Sequence, residues 1–223
     1  MLLGFSGFAG SGKNTVADIV SQELGNCVQV AFAAPLRELL GMCLGLTEEE
    51  VQSTYKEEVK VMEVMEAFTY CSADFYHGWL DFCGKYSLEM SLNEKCMKAQ
   101  ALEWMWSDLG EPITVRKLLQ VLGTDFVRDL VDPNMWVYLT MNKVHDLLTR
   151  GKNVLITDVR FPNEAQTITY LGGQVIQIDR PSLVTKDQHK SEEPLPKELI
   201  DFVIVNDKGL KELKGKVLDI LGV

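Results

Sequence analysis

Apolar positions along the chain fall into short unbroken runs that alternate with stretches repeating every three to four residues. Leu2–Ser6 is a run of the first kind and ends at Gly7. Asn14–Leu24 is of the second kind, with apolar residues at Val16, Ala17, Ile19, Val20 and Leu24. An unbroken run suits a strand buried on both faces, and the helical repeat suits a helix with one apolar side. The same reading predicts strands at Val28–Phe32, at Val154–Thr157 stopping at Asp158, at Gln174–Ile178 and at Phe202–Val205. Helices are predicted from near Pro35, whose fixed φ suits a first turn, and over Asn163–Leu171 up to Gly172-Gly173. A closing helix is marked by Leu210, Leu213, Val217, Leu218 and Leu221. Strands alternating with helices predict an α/β fold with a mostly parallel five-stranded sheet covered on both faces.

Residues 47–111 break the alternation. Thr47–Glu66 holds seven glutamates and two lysines, and Phe68–Trp106 holds nine of the 19 aromatic residues. A block this long is not a loop of a compact domain. It is expected to be a helical insertion that either packs its aromatic cluster internally or forms a homodimer surface. The core is then expected in two parts, 1–46 and 112–223.

Composition narrows the function classes. The 223 residues carry 22 Lys+Arg against 32 Asp+Glu, a formal charge of −10. Such a chain is a poor binder of long nucleic acids, because nothing offsets phosphate repulsion along the polymer. A small phosphate ester needs only a few focused donors and a metal ion. No apolar stretch reaches the roughly 18 residues of a membrane span, and the N-terminus has no basic leader, so no signal peptide is expected. Cys27, Cys43, Cys71, Cys83 and Cys96 include no Cys-x-x-Cys pair. They fit reduced thiols in a cytoplasm better than a disulfide frame or a zinc site.

The chemistry-bearing signal lies at the first strand–helix junction. Gly7-Phe8-Ala9-Gly10-Ser11-Gly12-Lys13-Asn14-Thr15 has the G-x-x-x-x-G-K spacing of a P-loop. Glycines let successive backbone N–H groups turn inward on phosphate oxygens, and the helix that follows adds its positive end. Lys13 supplies a full charge to the β- and γ-phosphates. Asn14 stands where Ser or Thr usually meets Mg²⁺, so metal contact is expected through its carbonyl oxygen, directly or by water, with Thr15 beside it.

Further polar residues sit at telling places. Arg37 falls on the first turn of the second helix, either facing an acceptor phosphate or paired on the surface. Arg116 and Gln120 share a helix face, and Lys117 lies between them. Gly123 is expected to end that helix, and Thr124 or Asp125 to cap the next, which carries Arg128. Asp158 ends a central strand, where open α/β sheets bind ligands, and is positioned to take a sugar hydroxyl, a metal-bound water or Arg160. Residues 180–196 are expected to form a lid, with Arg180 on the adenine or the phosphates and with His189 and Glu192 as its latch. Asn206 is expected near the adenine edge.

The GKNT form of the P-loop, Leu119-Gln120-Val121-Leu122-Gly123-Thr124-Asp125 up to Arg128, and Ile156-Thr157-Asp158-Val159-Arg160-Phe161-Pro162-Asn163-Glu164-Ala165 together resemble the phage deoxynucleoside monophosphate kinase family. His189-Lys190-Ser191-Glu192 and Val205-Asn206-Asp207 fit its C-terminal half. The resemblance implies a P-loop kinase fold and transfer of the γ-phosphoryl of ATP, with Mg²⁺, to a deoxynucleoside monophosphate in the cytoplasm of a host cell. It places ATP on Gly7, Ala9, Gly10, Ser11, Gly12, Lys13, Asn14 and Thr15. It places the monophosphate near Arg116, Lys117, Asp125, Arg128, Trp136, Asp158, Arg160 and Glu164, with Lys13, Arg128, Asp158 and Arg160 doing the chemistry. Trp136 is then either a stacking face for a base or a core residue. A phosphomevalonate or dephospho-coenzyme A type of kinase, a nucleotide switch and an inactive nucleotide-binding module stay open as alternatives. Two clusters of cationic residues favour two bound phosphoryl groups, hence a kinase.

Overall fold

Five strands alternate with helices in the order the apolar pattern predicts. The computed structural model describes residues 1–45, 47, 49, 51, 72–88, 91, 94, 115–183 and 189–222. The strands are β1 (Leu2–Ser6), β2 (Cys27–Val30), β3 (Asn153–Val159), β4 (Gln174–Asp179) and β5 (Phe202–Val205). The helices are α1 (Lys13–Leu24), α2 (Ala33–Leu44), α3 (Ser72–Lys85), α4 (Val115–Gln120), α5 (Met135–Thr149), α6 (Pro162–Tyr170) and α7 (Leu210–Leu221), with a π-helix at Val121–Val131. Two compact units result: residues 1–32 with 140–223, and residues 33–139.

The first unit is the sheet. Its strands run in the order β2-β3-β1-β4-β5 and every neighbouring pair is parallel. Leu3 and Phe5 of β1, Leu155 of β3 and Ile176 and Ile178 of β4 pack with Val16, Ala17, Ile19 and Val20 of α1 and with Leu213 and Val217 of α7. On the opposite face α6 comes so close that a Cβ on Gly4 would lie 2.6 Å from Ile168 Cδ1. Burial on both faces is why the strands read as continuous apolar runs.

Two strand ends differ from the pattern, for identifiable reasons. β2 stops at Val30 because the N–H of Phe32 donates to Asp158 Oδ1 at 2.7 Å instead of continuing the ladder. β3 runs one residue past Asp158, because Ser6 is in register with Val159 after an irregularity in the β1–β3 pairing.

The second unit is helical and holds the aromatic cluster. Trp79 and Phe82 of α3 stack at 6.4 Å, Phe126 meets Trp79 edge-on at 5.5 Å, and Trp136 meets Phe82 at 6.3 Å. Leu39, Leu40 and Cys43 of α2 and Leu118 and Leu122 complete this core. Helices α2 and α3 touch backbone to backbone at Gly78, where a Cβ would sit 2.4 Å from the carbonyl oxygen of Met42. Much of the acidic and aromatic block 47–111, Cys71 and Cys96 included, lies outside the described residues; Cys27, Cys43 and Cys83 are free thiols. Burial pushes the Cys43 thiol far up, which keeps it protonated and inert.

Gly123 does not end a helix, and neither Thr124 nor Asp125 caps a new one. The chain passes from α4 straight into the π-helix, which closes with Asp132 N donating to Val127 O at 2.8 Å, five residues back. Gly123 serves close approach instead, since a Cβ there would fall 2.5 Å from Leu36 Cδ2 of α2. Its carbonyl accepts the indole N–H of Trp136 at 2.8 Å. Wide helical turns of this kind are rare and concentrate at functional segments.

Candidate active site

The phosphate loop leaves β1 at Gly7 and enters α1 at Lys13. Gly7, Gly10 and Gly12 have φ of 134°, 79° and 106°, values that an L side chain rarely adopts. Gly7 has no room either, since a Cβ would lie 2.3 Å from the carbonyl oxygen of Ile178. α1 begins without a side-chain cap, so its first N–H groups are available to an anion. Asn14 and Thr15 are exposed on that first turn, and Ser11 is buried.

Lys13 folds back over the loop and donates to the carbonyls of Gly7 at 2.6 Å and Phe8 at 2.9 Å. Burial, joined by the charge of Arg160, lowers its pKa from 10.5 to about 8, while Asp158 and Glu192 pull it the other way. Two cations and two carboxylates therefore surround one spot beside the loop. An incoming phosphate would favour the charged ammonium and draw it off the carbonyls.

The adjacent strand end supplies those neighbours. Ser6 pairs with Val159, so Gly7 and Arg160 emerge side by side from β1 and β3. Asp158 is anchored by the Phe32 N–H. Arg160 is fixed at both ends. Its N–H and that of Phe161 donate to Glu164 Oε2 at 2.7 and 3.1 Å, while its guanidinium pairs with Glu192 and donates to the Ser191 carbonyl at 3.0 Å. The Glu192 side chain is 4% exposed and that of Arg160 28%.

Glu164 is committed to the backbone at the start of its own helix. It is 2% exposed and reaches back over the start of α6, a capping arrangement opened by Pro162. Arg180 donates to the carbonyl of Gly10 at 3.2 Å and Asn206 to that of Ser11 at 2.8 Å, so both lean on the loop backbone. His189 caps the short turn Lys190–Glu192, its Nδ1 accepting from Ser191 N at 3.2 Å. Residues 184–188 of the expected lid lie outside the described residues.

The other expected residues belong to the helical unit. Arg37 lies on α2, and its buried Nε has no hydrogen-bond partner among the described residues. Arg116, Lys117 and Gln120 lie half-buried on α4, and Asp125 is half-buried on the π-helix. Arg128 is buried there and donates to the carbonyl of Pro133 at 2.9 Å. Trp136 is a core residue: at 2% exposure and with its N–H committed to Gly123, it offers no open face to a base.

The sequence reading missed the Arg160–Glu192 pair and the anchoring of Asp158 by Phe32. Both join segments far apart in the chain, and no local spacing marks them. Glu164 carried a usable signal, a glutamate in the first turn of a helix opened by proline. Among the described residues no cluster of His, Cys, Asp and Glu could hold a metal alone, and no helix is long and apolar enough to cross a membrane. Mg²⁺ takes few protein oxygens and keeps its waters and phosphates, and the exposed oxygens of Asn14 and Thr15 fit that donor set.

A five-stranded parallel sheet with a lysine-bearing phosphate loop at the end of its central strand, and an aspartate and an arginine at the end of the neighbouring strand, is the P-loop kinase type of α/β fold. Within that type, the chain belongs to the deoxynucleotide monophosphate kinase family, whose family model matches residues 48–217. It is 29% identical to the deoxynucleotide monophosphate kinase of Enterobacteria phage T4, over 100% of this chain and 99% of that one. It is 28% identical to the deoxynucleoside-5'-monophosphate kinase of Escherichia phage T5, over 97% and 94%. A putative deoxynucleotide monophosphate kinase of Acanthamoeba polyphaga mimivirus is 27% identical, over 98% and 94%.

Proposed function

We propose that the protein transfers the γ-phosphoryl group of ATP to a deoxynucleoside 5′-monophosphate, giving ADP and the deoxynucleoside diphosphate. The observation that carries the reading is Lys13, held on the carbonyls of the phosphate loop while Arg160 emerges from the neighbouring strand end. In the transfer, a phosphate oxygen of the monophosphate attacks the γ-phosphorus. The bond from that phosphorus to the β–γ bridging oxygen breaks, and the electron pair leaves with ADP. Positioning and charge neutralisation are the main demands, and the attacking oxygen is already ionised, so no strong general base is needed.

The loop N–H groups of Gly7 to Thr15 hold the triphosphate, and Lys13 moves from the loop carbonyls to the β- and γ-phosphates. Asn14 and Thr15 would hold Mg²⁺, which supplies charge neutralisation on the phosphates when bound. Arg160 faces the transferred group, and Asp158 orients the phosphate-side machinery. Arg37, Arg116, Lys117, Gln120, Asp125 and Arg128 serve the monophosphate, where the buried Nε of Arg37 is a donor suited to an anion. A lid over residues 180–196 would exclude water and suppress hydrolysis. The reaction would run in the cytoplasm of an infected cell.

A coupled ADP-release assay tests the reading, run with ATP and Mg²⁺ and each of dAMP, dGMP, dCMP and dTMP, and without acceptor. At least about tenfold stimulation by one or more deoxynucleotides, with the diphosphate as product, is the expected result. ADP release indifferent to every acceptor would overturn it.

A further inference from the structure

We propose that Asn206 is a positioning residue of the phosphate loop, acting on triphosphate binding through the carbonyl of Ser11 and making no contact with the nucleotide base. The inference rests on the nucleotide-binding reading above and specifies how the loop is kept in shape.

A loop whose N–H groups converge on phosphates must turn carbonyls outward, and those carbonyls need donors. Side chains engage four of them here. Lys13 holds those of Gly7 and Phe8, Arg180 that of Gly10 and Asn206 that of Ser11. These donors are not equivalent. Lys13 must let go to meet a phosphate. Arg180 is exposed, and its contact is long at 3.2 Å. Asn206 is the donor built into the frame, with a bond of 2.8 Å from a partly buried amide.

The frame itself fixes that amide. Val205 pairs with Asp179 at the end of the β4–β5 ladder, and the next N–H, that of Asn206, donates to the Asp179 carbonyl at 2.6 Å. The side chain then lies flat against Gly12, where a Cβ would come within 2.6 Å of Nδ2. Gly12 is therefore doubly required, by its φ of 106° and by the amide pressed on it. The acceptor is a carbonyl, so Nδ2 and not Oδ1 must face the loop. The donor is spent on the backbone just before Lys13, which is the stretch that addresses the phosphates.

The test compares inorganic tripolyphosphate, ATP and GTP by calorimetric titration of wild type, N206A and N206D. Loss of one partly buried hydrogen bond predicts that N206A weakens all three by the same factor, about five- to tenfold. The KM for the deoxynucleoside monophosphate stays unchanged. N206D, which keeps the volume but turns a donor into an anion, weakens tripolyphosphate further than N206A. An N206A protein that loses ATP affinity but keeps tripolyphosphate affinity would mean that Asn206 reads the base, and the inference falls. Equal tripolyphosphate affinity in all three proteins overturns it too. A wild type that binds neither tripolyphosphate nor ATP brings down the nucleotide-binding reading itself, and the inference with it.

Discussion

The sheet unit and the helical unit make their candidate sites from different materials. In the first, phosphate recognition is mostly backbone: glycines in otherwise forbidden conformations, an uncapped helix start, and side chains such as Asn206 and Arg180 that serve the backbone. In the second, the polar residues stand on helices wrapped around Trp79, Phe82, Phe126 and Trp136, and any recognition has to come from side chains. A backbone site leaves a rigid glycine spacing in the sequence. A side-chain site leaves only charges on helix faces, which look like any solvated surface.

The largest expected effect falls on the backbone site. Lys13→Met should lower kcat/KM for ATP by about 10³ or more, with the calorimetric unfolding temperature unchanged or raised. A raised temperature follows because the substitution removes a charge that burial disfavours. Retained turnover would remove Lys13 from the chemistry.

Next comes the core of the helical unit. Trp79→Ala opens a cavity where the side chain is fully buried and should cost about 3–5 kcal/mol in denaturant unfolding. Tripolyphosphate binding by the folded fraction should keep its affinity. If that affinity collapsed as well, the division of labour between the units would be wrong.

The Arg160–Glu192 pair gives an intermediate effect. Arg160→Ala removes the guanidinium paired with a nearly buried carboxylate and should cost about 2–3 kcal/mol of stability, along with about 10²-fold in kcat. Removing Glu192 as well should restore most of the stability and none of the rate. Recovery of rate in the double variant would show that Arg160 is only a structural counterion.

The smallest effect is in pH. The Lys13 pKa is lowered to about 8 in the free protein, so its charge disappears as pH rises through that value. kcat/KM for ATP should then fall by about tenfold per pH unit on the alkaline side. A profile flat through that range would mean that the ammonium never leaves its charged state.

Legibility in the sequence followed the same division. All five strands and the loop were readable because apolar runs and glycine spacing are local signals. β2 and β3 ended differently from the pattern because Asp158 bonds Phe32 and Ser6 pairs with Val159, contacts over more than a hundred residues of chain. Gly123 misled because a glycine before Thr and Asp reads as a helix stop, while here it makes room for Leu36. Trp136 read equally well as a stacking face or a core ring, and its burial together with its bond to the Gly123 carbonyl decides. The partners of Arg160 and the role of Asn206 depend on which strand ends lie side by side, which no spacing within one segment encodes.

The aromatic cluster also has an optical consequence. All four tryptophans of the chain, at 79, 104, 106 and 136, fall between residues 33 and 139, and the sheet unit has none. Intrinsic tryptophan emission therefore reports on the helical unit alone. Energy passed from that emission to a fluorescent nucleotide analogue on the phosphate loop would give the separation of the two units directly, with no label attached to the protein.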